Sequence, residues 1–133
     1  MAREAIMASG AASVGPYSHG VVANGFVYLS GQTPIDSTTG RLVEGGIDAE
    51  VRQCFRNLSA ALEAAGLSLD NVIKCNAFLI DMSDFATMNA VYAEHFSEPY
   101  PARTTIGVLS LPLGARVEIE MVAVASSEAT PPR

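Results

Sequence analysis

Hydrophobic and polar residues alternate along this chain with a period that changes from block to block. "GFVYLSGQ" (25–32) is dense in strand formers and follows "HGVVAN" (19–24). The Asn24-Gly25 junction favours a two-residue hairpin turn, so two paired strands are predicted here. "STTGRLVEGG" (37–46) is rich in turn formers and reads as a loop with at most a short extended piece. From Asp48 the period lengthens: Val51, Cys54, Phe55, Leu58, Leu62 and Ala65 recur at helical spacing. Asp48 is the expected N-cap of that helix and Gly66 its stop. "DNVIKCNAFLID" (70–81) carries a near-continuous apolar run bounded by turn residues, the mark of a buried strand. A second helix is predicted over "DFATMNAVYAEHF" (84–96), capped by Ser83, with Phe85, Met88, Tyr92 and Phe96 on one face. "ARTTIGVLSL" (102–111) and "ARVEIEMVAVA" (115–125), joined by "PLG", read as an antiparallel pair.

The order is therefore β-β-α-β-α-β-β. It predicts an α+β fold: a single domain over residues 1–133, with one mixed sheet and both helices on one of its faces. The polar segment "SSEATPPR" (126–133) is expected to be a loose tail. A chain of 133 residues has nothing left to cover the second face of the sheet, so self-association through that face is expected.

Composition strengthens that expectation and removes several function classes. Hydrophobic residues make up 49% of the chain and charged residues 17%, more apolar than an average soluble domain. No apolar run approaches the ~20 residues of a membrane span, and "MAREAIMASGAASVG" lacks the long apolar segment of a secretory signal, so a cytoplasmic location without membrane contact is expected. A formal net charge of −6 offers no footprint for a phosphate backbone and argues against nucleic acid as a partner. Cys54 and Cys75 have no CxxC spacing and are expected as buried free thiols. His19 and His95 lack metal-ligating spacing and read as surface or rim residues, so no metal site is expected and nothing implies a cofactor. "GPYSHG" has Val21 where a phosphate loop would need lysine. Ser18 and His19, adjacent in an extended segment, point to opposite faces and cannot form a nucleophile–base pair.

What remains is a small set of polar side chains in apolar strands. Alternation puts Arg103 and Thr105 on one face of their strand, and Glu118 and Glu120 on one face of theirs. Two readings stay open: these residues line the solvated side of an edge strand, or Arg103 meets something anionic. Val122 and Val124 continue the face of the two glutamates, and a carboxylate at such an apolar boundary is a candidate for a raised pKa.

Together "GPYSHGV", "VYLSGQTPID", "TGRLVEGG", "NLSAALEAAGLSLDNVIKCNAFLIDMSDFATMNAVYAEHF", "YPARTTIGV" and "LPLGARVEIEMVAVA" resemble the reactive intermediate deaminase (RidA, or YjgF) family over nearly the whole chain, in order. The resemblance implies a chorismate-mutase-like fold assembled as a homotrimer with ligand clefts between subunits. It further implies hydrolysis of 2-imino acids such as 2-iminopropanoate and 2-iminobutanoate, and of their enamine tautomers, to 2-keto acids and ammonia, without metal or organic cofactor. Such imines are released by pyridoxal-phosphate-dependent dehydratases acting on serine or threonine. On this resemblance Arg103 of "PAR" grips the substrate carboxylate, and Glu118, the first glutamate of "EIE", handles the attacking water. Tyr17, Ser30, Gly31 and Asn89 match other cleft positions. Thr105, also expected in the substrate-binding cleft, stands where many members have cysteine, His19 stands where glutamine is common, and "SEPYPAR" is shorter than in some relatives.

Two other classes share these residues: a non-catalytic module that binds small carboxylates or acts on partner proteins in a chaperone-like way, and a ribonuclease or translation inhibitor. Binding needs Arg103 alone, whereas Glu118 is needed only where water is activated. The acidic balance argues against the ribonuclease. If residues 103–111 and 115–125 form a hairpin about "PLG", five residues of strand, roughly 17 Å, separate Arg103 from Glu118. Each cleft would then combine Arg103 of one subunit with Glu118 of its neighbour.

Overall fold

The structure, a computed structural model, describes residues 3–11 and 15–125; the expected tail at 126–133 lies outside the described residues. The strands are β1 (Glu4–Ile6), β2 (Gly20–Ala23), β3 (Phe26–Gln32), β4 (Ile35–Asp36), β5 (Arg41–Leu42), β6 (Val72–Leu79), β7 (Ala102–Gly107) and β8 (Val117–Val124). The helices are α1 (Ile47–Ala64) and α2 (Phe85–His95). Six strands form one mixed sheet in the order β1-β2-β3-β8-β6-β7, and β4 and β5 form a small separate ribbon. β1 and the ribbon add to the expected order, being too short for a periodic signal. Among the described residues no helix is long and apolar enough to cross a membrane.

The expected turn chemistry holds at β2–β3, where Asn24 (φ 52) and Gly25 (φ 81) take the left-handed conformations of a type I′ hairpin. Both expected helix caps are corrected. α1 begins at Ile47 behind Gly46, whose φ of 96 suits glycine, and Asp48 sits inside the first turn, where its charge meets the helix dipole. α2 begins at Phe85; ahead of it the Asp81 carboxylate accepts from the backbone and hydroxyl of Ser83, so Ser83 is a donor in a 3₁₀ turn and not the cap. Gly66 (φ 76) ends α1 as expected.

The expected β7–β8 hairpin does not form. β7 pairs in parallel with β6, and β6 pairs antiparallel with β8 on its other side. The cause is the helix between β6 and β7: a β-α-β crossover returns the chain parallel to its first strand. The link from β7 to β8 then passes over the end of β6, where Val108 N–H donates to Leu79 O (2.8 Å) and Ile80 N–H donates to Arg116 O (3.2 Å). "PLG" is a 3₁₀ turn within that link.

Paired residues on neighbouring strands project to the same side of a sheet, so the register assigns the faces. Leu29, Met121, Cys75 and Arg103 form one row, and Ala77 pairs with both Ile119 and Thr105. Met121, Cys75, Ile119 and Ala77 are buried with Phe55, Leu58 and Leu62 of α1 and Met88 and Tyr92 of α2, so this is the helix-covered face. The opposite row holds Glu118, Phe78 and Ile106, and the next Glu120, Asn76 and Thr104. That face is open, with Tyr28 50% and Ile106 45% exposed. Cys54 and Cys75 are buried free thiols, as expected. His19 corrects the rim reading: it is 3% exposed, and its Nδ1 accepts from Ala8 N–H at 2.9 Å, tying the segment after β1 to the start of β2. The His95 ring is stacked on Phe55, centroids 4.1 Å apart.

Candidate functional site

All the sequence-predicted residues but Thr105 separate into two clusters on opposite faces of the sheet. The first is a cleft of about 410 Å³ on the open face, lined by Tyr17, Ser30, Gly31, Thr33, Pro112, Glu118 and Glu120. A register shift in β3 between Leu29 and Gln32 makes room for it by lifting Ser30 and Gly31 out of the ladder with β8. Ser30 stays anchored, its N–H donating to His19 O (3.0 Å) and its hydroxyl to Ser18 O (2.6 Å). Gly31 leaves room for the glutamate: a Cβ there would overlap Glu118 Oε2 where it lies and push the carboxylate aside. The glutamate carboxylate therefore rests directly on main chain.

Behind the cleft the loop is propped from α1. Asn57, fully buried, donates from Nδ2 to Thr33 O (3.2 Å) and Ile35 O (2.9 Å). Its Oδ1 accepts from Gln53 Nε2 (2.9 Å), and Gln53 Oε1 accepts from Arg56 Nη1 (2.7 Å). Every link is satisfied, so the network stiffens the wall. On the floor, Asn76 Nδ2 donates to Glu120 Oε2 at 2.9 Å. Burial first, and the neighbouring Glu120 charge second, raise the Glu118 carboxyl above its ordinary value, as the apolar boundary in β8 predicts.

The second cluster is a hollow of about 430 Å³ at the β7 edge, lined by Asn89, Tyr92, Ala93, Tyr100, Pro101 and Arg103. The Arg103 guanidinium carbon lies 4.7 Å from the Tyr92 ring centroid and 5.7 Å from that of Phe85. Among the described residues the ion pairs are Arg52–Glu94 and Arg116–Glu50, and Arg103 enters neither. Thr105 lines neither cluster; its Oγ1 is buried on the helix-covered face without a hydrogen-bond partner. Among the described residues no group of three or more His, Cys, Asp or Glu side chains is placed to hold a metal ion.

The hairpin-based distance between Arg103 and Glu118 is thus replaced by a different separation. Arg103 is level with Cys75 and Met121, Glu118 with Phe78 and Ile106, and the sheet itself stands between the two side chains. Two contributors escape the sequence reading. Asn57 lies on the polar flank of α1, and its role depends on a loop distant in sequence. Tyr92 reads only as part of an apolar helix face, although a tyrosine among Phe and Met is the one signal that marks it.

The sequence profile of the endoribonuclease L-PSP family matches residues 7–125. A RutC family protein of Pyrococcus horikoshii is 49% identical over 110 residues, covering 83% of this chain and 87% of the relative. A mouse 2-iminobutanoate/2-iminopropanoate deaminase is 44% identical over 113 residues, covering 85% of this chain and 84% of the relative. The crystal structure of RidA from an Antarctic Psychrobacter superposes with a TM-score of 0.88 at 46% identity, covering 92% of this chain and 99% of that one.

Proposed function

From the premise that the chain belongs to the endoribonuclease L-PSP (RidA/YjgF) family, we propose that it is an imine/enamine deaminase converting short 2-imino acids to 2-keto acids and ammonia. Arg103 receives the substrate carboxylate bidentately, which fixes the imine carbon as well as adding affinity. Glu118 takes a proton from water as the water oxygen bonds to that carbon. The proton passes to nitrogen to give the carbinolamine; its hydroxyl proton is then relayed to nitrogen as the C=O bond forms and the C–N bond breaks, releasing ammonia and the keto acid. General-base help of this kind contributes about 10²- to 10⁴-fold.

The observation that carries the reading is the half-buried Glu118 carboxylate, raised in pKa and resting on Gly31. A binding module needs only Arg103, and a carboxylate in the same cleft would repel an anionic ligand without compensating gain. Because Arg103 and Glu118 lie on opposite faces of one sheet, the reading places them in one cleft by pairing Arg103 of one copy with Glu118 of a neighbour in a homotrimer. Tyr17, Ser30 and Gly31 then act with Glu118, and Asn89 with Arg103. The ribonuclease reading carried by the family's name is disfavoured by the net charge of −6.

The test adds the protein to a threonine dehydratase with threonine and follows decay of the transient imine against its spontaneous hydrolysis. Acceleration by wild type that is lost in Arg103→Ala and Glu118→Gln is the expected result. No acceleration by wild type sinks the enzyme reading, and undiminished acceleration by Arg103→Ala sinks the role of that residue.

A further inference from the structure

Arg103 is held in an unusual way for a ligand-binding arginine: by ring faces and not by a carboxylate. Its guanidinium carbon sits over Tyr92 at 4.7 Å, with Phe85 at 5.7 Å, and it enters neither of the ion pairs among the described residues. Tyr92 is itself immobilised. Phe55 meets its ring edge-on at 5.8 Å between centroids, Phe96 lies at 4.9 Å, and the residue is 5% exposed. A guanidinium carries its five N–H donors in its own plane. A carboxylate partner would occupy those donors and cancel the charge; an aromatic face holds the group through its π cloud and leaves the donors unspent.

The surroundings are neutral as well. The Tyr92 hydroxyl faces the Cys75 thiol without a well-formed hydrogen bond. Burial pushes Cys75 up to about 11 and pushes Tyr92 up too, so neither supplies a counter-charge near neutral pH. Cys75 is the register partner of Arg103 on β6. The rings in contact with the Arg103 guanidinium, Tyr92 and Phe85, and its register partner Cys75 are thus uncharged.

We propose that Tyr92 is a positioning residue for substrate recognition: its ring face sets the plane of the Arg103 fork and keeps all of the fork's donors available to a planar carboxylate. This rests on the deaminase reading for the identity of the carboxylate, but it concerns how the cation is held. Two consequences separate it from a purely structural role. The ring matters and the hydroxyl does not. The ring also acts only through the fork, so its removal and the Arg103→Lys change overlap in effect.

The experiment measures KM and kcat for 2-iminobutanoate, generated in the coupled assay, together with the Kd of 2-ketobutanoate by calorimetry. The proteins are wild type, Tyr92→Phe, Tyr92→Leu, Arg103→Lys and the Tyr92→Leu/Arg103→Lys double variant. Tyr92→Phe is expected within about twofold of wild type, since a phenyl face still holds a cation. Tyr92→Leu is expected to raise KM and Kd about fivefold to thirtyfold, in line with a desolvated cation–π contact, with kcat changed less. In the Tyr92→Leu background Arg103→Lys is expected to cost clearly less than in wild type, the signature of two residues acting as one unit. Unchanged Kd in a folded Tyr92→Leu, or full additivity with Arg103→Lys, overturns the proposal.

Should Tyr92→Leu not fold, NMR of the wild-type protein decides. The Arg103 Nε–H and Cδ–H resonances are expected upfield, under the Tyr92 ring current, and unshifted resonances overturn the proposal. A wild type that binds 2-ketobutanoate but does not hydrolyse imine would sink the deaminase reading while leaving the Tyr92 arms fully readable through Kd.

Discussion

The two clusters solve opposite electrostatic problems with opposite materials. Around Arg103 the protein supplies ring faces and neutral groups at an edge strand, so the cation keeps its donors unspent. Around Glu118, on a central strand, it supplies main chain, partial burial and a second carboxylate, so the anion is made more basic than in water. One region leaves a charge without a counter-ion, which suits it to an anionic ligand on the proposed reading; the other raises the cost of a charge, which suits it there to accept a proton. On the proposed deaminase reading neither half does chemistry alone, and the sheet that builds both also separates them.

The largest expected effect comes from deleting either half. Arg103→Ala and Glu118→Gln should each lower kcat/KM for the imine by about 10²- to 10⁴-fold. They should differ in kind: Arg103→Ala loses 2-ketobutanoate binding by calorimetry, and Glu118→Gln keeps it. Unfolding and refolding the two inactive variants together should restore activity, because each copy still supplies the half that the other lacks; no recovery would break the shared-cleft pairing.

Next in size is the prop behind the Glu118 cleft. Asn57→Ala removes the Nδ2 donor to the Thr33 and Ile35 carbonyls, of which Thr33 O keeps the Ile35 N–H, and leaves Gln53 Nε2 without its acceptor, a loss of about 1–3 kcal/mol in denaturant unfolding. The Arg103 seat should be untouched, so keto-acid Kd in the folded variant should stay near wild type. Gly31→Ala is smaller and purely local. The added Cβ displaces the Glu118 carboxylate, and kcat should fall at least about tenfold, or ~1.4 kcal/mol, with little change in Kd.

The smallest effect is in stability against pH. Folding raises the pKa of Glu118, so the folded state binds this proton more tightly than the unfolded state and wild type loses stability as pH rises through the folded value. Glu118→Gln should therefore melt slightly higher than wild type at neutral pH, with the difference closing on acidification below the ordinary carboxyl value of 4.5. The acid limb of wild-type kcat/KM should lie above that same value. A limb at or below it would remove the electrostatic half of the contrast between the two clusters.

Much of this was legible in the residues, and where it was not the reason is physical. Alternation in "VEIEMVAV" correctly separates Glu118 and Glu120 from Val117, Ile119 and Met121, because a strand's period is a local property. The helical spacing from Val51 to Leu62 likewise marks the buried stripe of α1. Asn24-Gly25 identifies its turn because backbone sterics alone favour it. The caps are harder: Asp48 and Ser83 are good capping types, but α1 starts behind Gly46, and Ser83 is taken up as a donor to Asp81, which caps the 3₁₀ turn ahead of α2. His19 reads as a rim residue because nothing nearby in sequence shows that Ala8 will close over it.

By itself, then, the sequence determined the longer elements, their inward faces, the α+β class and the polar residues available for chemistry, since these follow from periodicity and local conformational preference. Only the tertiary structure decided that β7 lies parallel to β6 at the sheet edge while β8 returns to the centre. That choice is set by the handed crossover through α2 and by which strand order buries both helices, a competition among distant contacts that no local pattern records. It is also what puts Arg103 on the aromatic face of α2 and Glu118 on the open side of the sheet.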